Sequence, residues 1–297
     1  MAQPLSAAAA LTALRAEGVR IVEVDNWRTH NRNQKGAWGP VNGSVVHHTV
    51  TKGTASSVAI VRDGYSSLPG PLCHGMIAKD GTVHLVGWGR TNHAGGGDPA
   101  VLAHVIAEDY GDRPPKPTKG NANGVDGNAR FYGWECENLG DGKDPWPAAQ
   151  YDAIVRTQAA LCRAHGWTAK SVIGHLEWSS DKVDPLGVSM TALRADVAER
   201  LKHPTSWNPG SSTPAPKPPT TPPKETPVAT TDDRVRSLHA NLLTIGSLTE
   251  VDSKGARVNH GAGYYLAHVE KDTTDLQVKV DRLEKKLDQI LALLTTP

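Results

Sequence analysis

Net charge is nearly missing from this chain: 32 Lys and Arg stand against 31 Asp and Glu over 297 residues. A phosphate backbone is gripped by clustered cations, so nucleic acid is not an expected partner. Long apolar runs are missing too, and none approaches the ~18 residues of a membrane span. Cysteine is scarce. Three thiols, an odd number, cannot close a disulfide framework, which points to synthesis in a reducing compartment. The last third is poor in aromatics: all eight Trp and the single Phe lie before residue 208, as do four of the six Tyr. Nine of the 21 Pro instead crowd into residues 204–227. With 38% hydrophobic residues, a sizeable core fits the aromatic-rich part but not the whole chain. The length suits about two domains.

What is present divides into three stretches. Residues 1–203 read as an α/β domain with a central mixed sheet flanked by helices. The Ala-rich stretch Leu5–Leu14 has no Lys or Arg before it and runs into Arg15 and Glu17. It therefore reads as an opening helix ended by Gly18 rather than a cleaved signal. Strands are expected over Val19–Val24, Ser44–Val50, Cys73–Ala78, Val83–Val86, Tyr132–Cys136 and Ser171–Ile173, each short and rich in β-branched or aromatic residues. Lys79-Asp80-Gly81 is the turn of a hairpin. Helices are expected at Ser56–Arg62, Pro99–Asp109, Ala148–His165 and Thr191–Lys202, the third stopped by Gly166. Pro114–Asn128 reads as an exposed loop of the kind that contacts substrate.

Residues 204–231 are Pro, Thr and Ser rich and read as a semi-extended tether. Residues 232–297 read as a helical module. Its last helix carries a 4-3 repeat from Leu266 to Leu294, with eight of nine positions apolar. Two outcomes stay open: self-association as a coiled coil through 266–294, or an antiparallel hairpin with the helix upstream.

Thirteen histidines are many, and two groups stand out. His47-His48 sits in a strand, where alternation lets only one of the pair face a given site. His175 is followed nine residues on by Asp184. Two His and one carboxylate leave a tetrahedral zinc one open position, as catalytic sites require. Surface or hydrogen-bonded core histidines are the alternative. Glu135 and Glu137 share the parity of one strand face, and the pattern does not choose between them.

Together these pieces resemble the zinc-dependent N-acetylmuramoyl-L-alanine amidases of type 2, whose fold is shared by phage lysins, bacterial muropeptide amidases and peptidoglycan-recognition proteins. The resemblance spans roughly residues 20–202 and rests on ordered motifs. These are His47-His48-Thr49, Cys73-His74 leading to Asp80-Gly81-Thr82, and Asn92-His93-Ala94-Gly95. Then come Tyr132-Gly133-Trp134-Glu135 and Lys182-Val183-Asp184-Pro185. It implies one zinc ion held by His47, His175 and Asp184, with Glu135 as acid/base and Lys182 steadying the tetrahedral intermediate. His93 would border the substrate groove, and His74 would lie beside it. Two departures stand out. Cys73 replaces a catalytic Tyr of some phage members, and the stretch from His93 to Glu135 is longer than in minimal members.

The implied reaction is cleavage of the amide between N-acetylmuramic acid and L-alanine in bacterial peptidoglycan. The leading expectation is a phage endolysin, made in the host cytoplasm and reaching the wall after a holin breaches the membrane. The alternatives are a cellular muropeptide amidase and a non-catalytic peptidoglycan-binding module, though such modules commonly lose a metal ligand and all three are present here. A further reading is a cysteine peptidase or amidase using Cys73 or Cys136 with a nearby His, and a Cys73–His74 pairing is weakened because the two point to opposite strand faces.

Overall fold

The computed structural model describes residues 2–208 and two short segments, 248–251 and 257–260. The chain divides into two units, Met1–Ser212 and Thr213–Pro297. The first runs α1 (Ala7–Ala16), β1 (Ile21–Glu23), β2 (Gly43–His48), α2 (Thr54–Asp63), β3 (Gly64–Tyr65), β4 (Leu68–Pro69), β5 (Gly75–Ile77) and β6 (Val83–Leu85). It continues with β7 (Gly96–Gly97), α3 (Pro99–Ala107), β8 (Val125–Asp126), β9 (Phe131–Cys136), α4 (Ala148–His165), β10 (Val172–Gly174), α5 (His175–Trp178) and α6 (Met190–Leu201).

Local chemistry sets the ends of these elements. Ser6, Asp98 and Ser189 cap α1, α3 and α6 by accepting from backbone N–H groups of the first turn, and Pro99 opens α3 where its missing N–H costs nothing. Gly166 closes α4 in the left-handed conformation. Strand β2 ends at His48, short of the expected Val50, because Val50 itself turns at φ 53°.

A six-stranded sheet in the order β1-β6-β5-β9-β2-β10 forms the centre. All pairs are parallel except the β5–β6 hairpin around Lys79-Asp80-Gly81. Both faces are covered, as a mainly parallel sheet requires. Tyr132, Trp134 and Cys136 of β9 pack with Val46 against Leu14 of α1, Ile154 and Leu161 of α4 and Leu193 and Val197 of α6. Phe131 and Val45, of opposite parity, pack against Val101 and Val105 of α3 and Trp178 of α5. Each large side chain buried this way contributes about 1.5–3 kcal/mol.

The first unit extends past residue 203. Glu17, fully buried, accepts from Arg200 Nε (2.6 Å) and Arg163 Nε. The rest of the Arg200 guanidinium donates to the carbonyls of Thr205 and Trp207, both at 3.0 Å. A buried carboxylate is tolerated when paired and fully hydrogen-bonded in this way. Residues 205–207 are thus tied to Arg200 of α6. The remaining tether and the heptad helix, 266–294, lie outside the described residues. Within 232–297, expected to be helical, an antiparallel hairpin pairs β11 (Leu248–Val251) with β12 (Arg257–His260). Among the described residues no helix is long and apolar enough to cross a membrane.

Candidate metal centre

Register builds the site. In the parallel pair β2–β9, His47 stands directly beside Glu135, so both project from the same sheet face about one strand spacing apart. On the other side of β2, Gly174 of β10 pairs with Val46, and the next residue, His175, opens α5. The loop after α5 brings Asp184 back, its carbonyl accepting from Leu176 N–H at 2.7 Å. His48, on the opposite parity, serves the same loop: its Nδ1 accepts from Leu186 N–H at 3.1 Å.

Three ligand atoms converge. His47 Nδ1 lies 2.9 Å from His175 Nδ1 and 3.0 Å from Asp184 Oδ2, and His175 Nδ1 lies 3.1 Å from the same oxygen. The outer nitrogens identify the tautomers. His93 Nε2 faces the Phe131 carbonyl at 3.2 Å, which only accepts, so His93 carries its proton there. Burial pushes the His93 pKa well below its ordinary value, so the ring is neutral and its Nδ1 is a lone pair. That lone pair accepts from His47 Nε2–H at 3.0 Å. His47 is neutral as well, pushed down to about 4 by burial and by neighbouring His175. Its Nδ1 therefore presents a lone pair. His175 donates Nε2–H to the Ala94 carbonyl at 3.3 Å, which turns its Nδ1 inward too.

Two imidazole nitrogens and a carboxylate oxygen converging this closely offer one cation three ligand atoms. A tetrahedral zinc with bonds of ~2.0–2.1 Å sets its ligand atoms about 3.3 Å apart, near the observed spacing. Outer-shell acceptors on the far ring nitrogens are the usual accompaniment of histidine ligands. The donor set therefore fits zinc. Cys73 Sγ, His47 and His93 form a second close group, but it suits a cation less well. Burial raises the Cys73 thiol well above its usual pKa, which disfavours the nucleophilic thiolate in the metal-free site. The cysteine-nucleophile reading fails on the same ground.

A cleft of about 280 Å³ opens on this centre, lined among others by His47, Glu135, His175, Lys182 and Asp184. Glu135 Oε2 is shielded from solvent and has no hydrogen-bond partner among the described residues. Burial, reinforced by the charge of Asp184 and opposed by Lys182, pushes its pKa up to about 8. Glu137 is no rival. It lies past the end of β9 and accepts from Gly53 N–H (2.9 Å) and Thr54 Oγ1 (2.8 Å), capping the start of α2.

Two of the histidines expected at the groove behave differently from that expectation. His93 borders the cleft, but both of its nitrogens are engaged, so it buttresses His47 and offers no free hydrogen-bonding group to substrate. Gly133 makes this possible, since a Cβ there would sit 2.4 Å from the His93 ring. His74 is not a groove residue at all. It is fully buried, accepts from Gly133 N–H at 3.0 Å, donates to the Gly89 carbonyl at 2.9 Å, and stacks on Trp38. Sequence reasoning missed Tyr65 and Leu68 at the cleft mouth, because the β3–β4 hairpin that carries them is only two residues per strand.

Residues 37–187 match the family model described as N-acetylmuramoyl-L-alanine amidase. No curated protein matches the chain significantly. Among solved structures, the chain is similar to the endolysin N-acetylmuramoyl-L-alanine amidase LysCS from Clostridium intestinale URNW. That match has 18% identity, covers 60% of this chain and 95% of that one, and has a TM-score of 0.37. The amidase LysC from the same organism matches with 17% identity, 60% and 97% coverage and a TM-score of 0.38. A selenomethionine derivative of AmpD matches with 18% identity, 60% and 94% coverage and a TM-score of 0.36.

Proposed function

Because the chain belongs to the N-acetylmuramoyl-L-alanine amidase family over residues 37–187, we propose that it hydrolyses the amide joining N-acetylmuramic acid to L-alanine in peptidoglycan. His47, His175 and Asp184 hold one zinc ion in this reading. The observation that carries it is the trio of electron-pair donors within 3.1 Å of one another, with the unpartnered Glu135 carboxyl facing the same cleft. When bound, zinc supplies Lewis acidity that activates water and polarises a carbonyl near neutral pH.

The chain's own residues do the rest. Glu135 takes a proton from the attacking water and returns it to the departing amine of L-alanine. A cation beside it favours the ionised carboxylate, offsetting the upward push of burial. Lys182 faces the negative charge that develops on the carbonyl oxygen. His93 and the Ala94 carbonyl keep the ligand lone pairs aimed inward.

The biological setting we propose is lysis by a phage endolysin, made in the host cytoplasm and released to the wall by a holin. The Pro-rich tether and the heptad repeat beyond it support a separate module that joins copies, giving several catalytic units on one polymer. Equal subunit counts for the full chain and residues 1–208 in sedimentation would overturn that assembly.

The central test uses purified full chain on peptidoglycan. It releases free amino groups and no reducing sugars, loses activity to a chelator, regains it with zinc and is indifferent to thiol alkylation. Activity that survives thorough metal removal overturns the mechanism.

A further inference from the structure

The outer partners of both proposed ligand histidines come from one short segment. His93 supplies the ring that fixes His47, and the Ala94 carbonyl accepts from His175 Nε2 at 3.3 Å and from Trp178 Nε1 at 3.0 Å. That segment belongs to no long element. Its backbone is gripped instead by a single side-chain atom: Asn128 Oδ1 accepts from the N–H groups of His93 (2.9 Å), Ala94 (2.8 Å) and Gly95 (3.3 Å).

Asn128 is itself buried and its place is set from both sides. The ladder of β7 with β8 pairs Gly96 with Asp126 and Gly97 with Val125. Gly127 N–H then donates to the Gly95 carbonyl at 2.8 Å, bringing Asn128 across from residues 93–95. Three residues on, the Phe131 carbonyl receives His93 Nε2–H. Glycine is needed along this path, since a Cβ on Gly97 would lie 2.0 Å from the Trp178 ring and one on Gly127 2.7 Å from its Nε1. The long stretch between His93 and Glu135 thus ends in a device aimed at the centre.

We infer that Asn128 is a positioning residue for the His47–His175–Asp184 centre. By holding residues 93–95 with one oxygen it keeps both histidines in the Nε2–H tautomer, with their Nδ1 lone pairs turned inward. The inference rests on the zinc reading above. Asn128 is not among the residues that line the cleft, and it acts through the backbone it grips.

The test is a zinc titration of the full chain against a chromophoric chelator, for wild type, Asn128→Ala and Asn128→Asp. Asn128→Ala is expected to raise the zinc Kd about 10–100-fold, the usual effect of losing an outer-shell partner, while Asn128→Asp, which keeps the acceptor, stays within about 3-fold of wild type. A second readout needs no zinc: ring 15N signals of histidine-labelled protein show protonated Nε2 on His47 and His175 in wild type and a mixture of tautomers in Asn128→Ala. If Asn128→Ala does not fold, Asn128→Ser, whose hydroxyl is too short to serve all three N–H groups, takes its place. A folded Ala or Ser variant that binds zinc like wild type overturns the inference alone. Equal losses in Asn128→Ala and Asn128→Asp also overturn it. Wild type that binds no zinc overturns the metal reading and this inference with it.

Discussion

His47 and His74 make an instructive pair. Both are buried imidazoles, both are pushed down to about 4 by burial, and both carry their proton on Nε2. They differ most in what meets Nδ1. At His74 it accepts from Gly133 N–H, inside a cage of Trp38, Trp88 and Tyr132. At His47 it faces a second imidazole nitrogen and a carboxylate oxygen. Burial and a depressed pKa are therefore not what marks a site in this protein. The mark is a set of acceptors without a donor, which one histidine lacks and the other shares.

The largest effect that sharpens this contrast comes from removing one acceptor of the set. Asp184→Ala is expected to lose zinc and to bring amide hydrolysis to background, whereas His74→Gln keeps both. Metal content and product mass, measured on the two variants together, decide it. Zinc retained by the first and lost from the second would reverse the assignment of the two histidines. Next in size is Glu135→Gln, which retains zinc while kcat falls about 10²–10⁴-fold, the range for a lost general acid/base. A wild-type rate in a zinc-loaded Glu135→Gln protein would remove that residue from the chemistry. Lys182→Met follows, with kcat lower by about 10²–10³-fold, as for one lost oxyanion partner. A change confined to KM would make Lys182 a substrate-binding group instead.

The contrast also explains what the sequence could and could not convey. Period-two alternation allowed only one of His47 and His48 to face the site, the family resemblance chose His47, and the paired strands that carry His47 and Glu135 were legible from β-branched and aromatic runs. Helix α4 was legible to both of its ends because a helical apolar face meets a glycine stop. His74 was not legible, since its neighbour Cys73 and its motif resemble site chemistry. Only the three-dimensional placement of Gly89 and Gly133 shows its nitrogens satisfied. Asn128 was invisible for the opposite reason: it ends a Pro-, Gly- and Asn-rich stretch that reads as an exposed loop, whereas the residue itself is buried. The Pro-rich run from Pro204 likewise gives no sign that the carbonyls of Thr205 and Trp207 accept from Arg200.

The smallest effect separates the two environments by pH. In metal-free protein Glu135 has its pKa raised from 4.5 to about 8. The folded state then holds a proton that the unfolded chain gives up, so stability falls as pH rises from about 4.5 through 8. His74, lowered from 6.5 to about 4, acts the other way: its contribution is whole above 6.5 and is lost as pH falls towards 4. Glu135→Gln should therefore flatten the alkaline limb of the stability curve. His74→Gln should soften only the acid limb, because His47 and His93, also buried and neutral, keep part of that slope. The effects amount to at most about 5 kcal/mol for Glu135 and about 3.5 kcal/mol for His74, from roughly 1.4 kcal/mol per pKa unit. Denaturation followed by Trp fluorescence reads the first unit alone, since all eight Trp precede residue 208. Zinc supplies the decisive control. It should erase the alkaline difference between wild type and Glu135→Gln, because a cation beside the carboxylate removes the reason for its raised pKa, and it should leave the His74 effect untouched. An alkaline limb indifferent to both Glu135→Gln and zinc would show that the two regions differ less than their lone pairs imply.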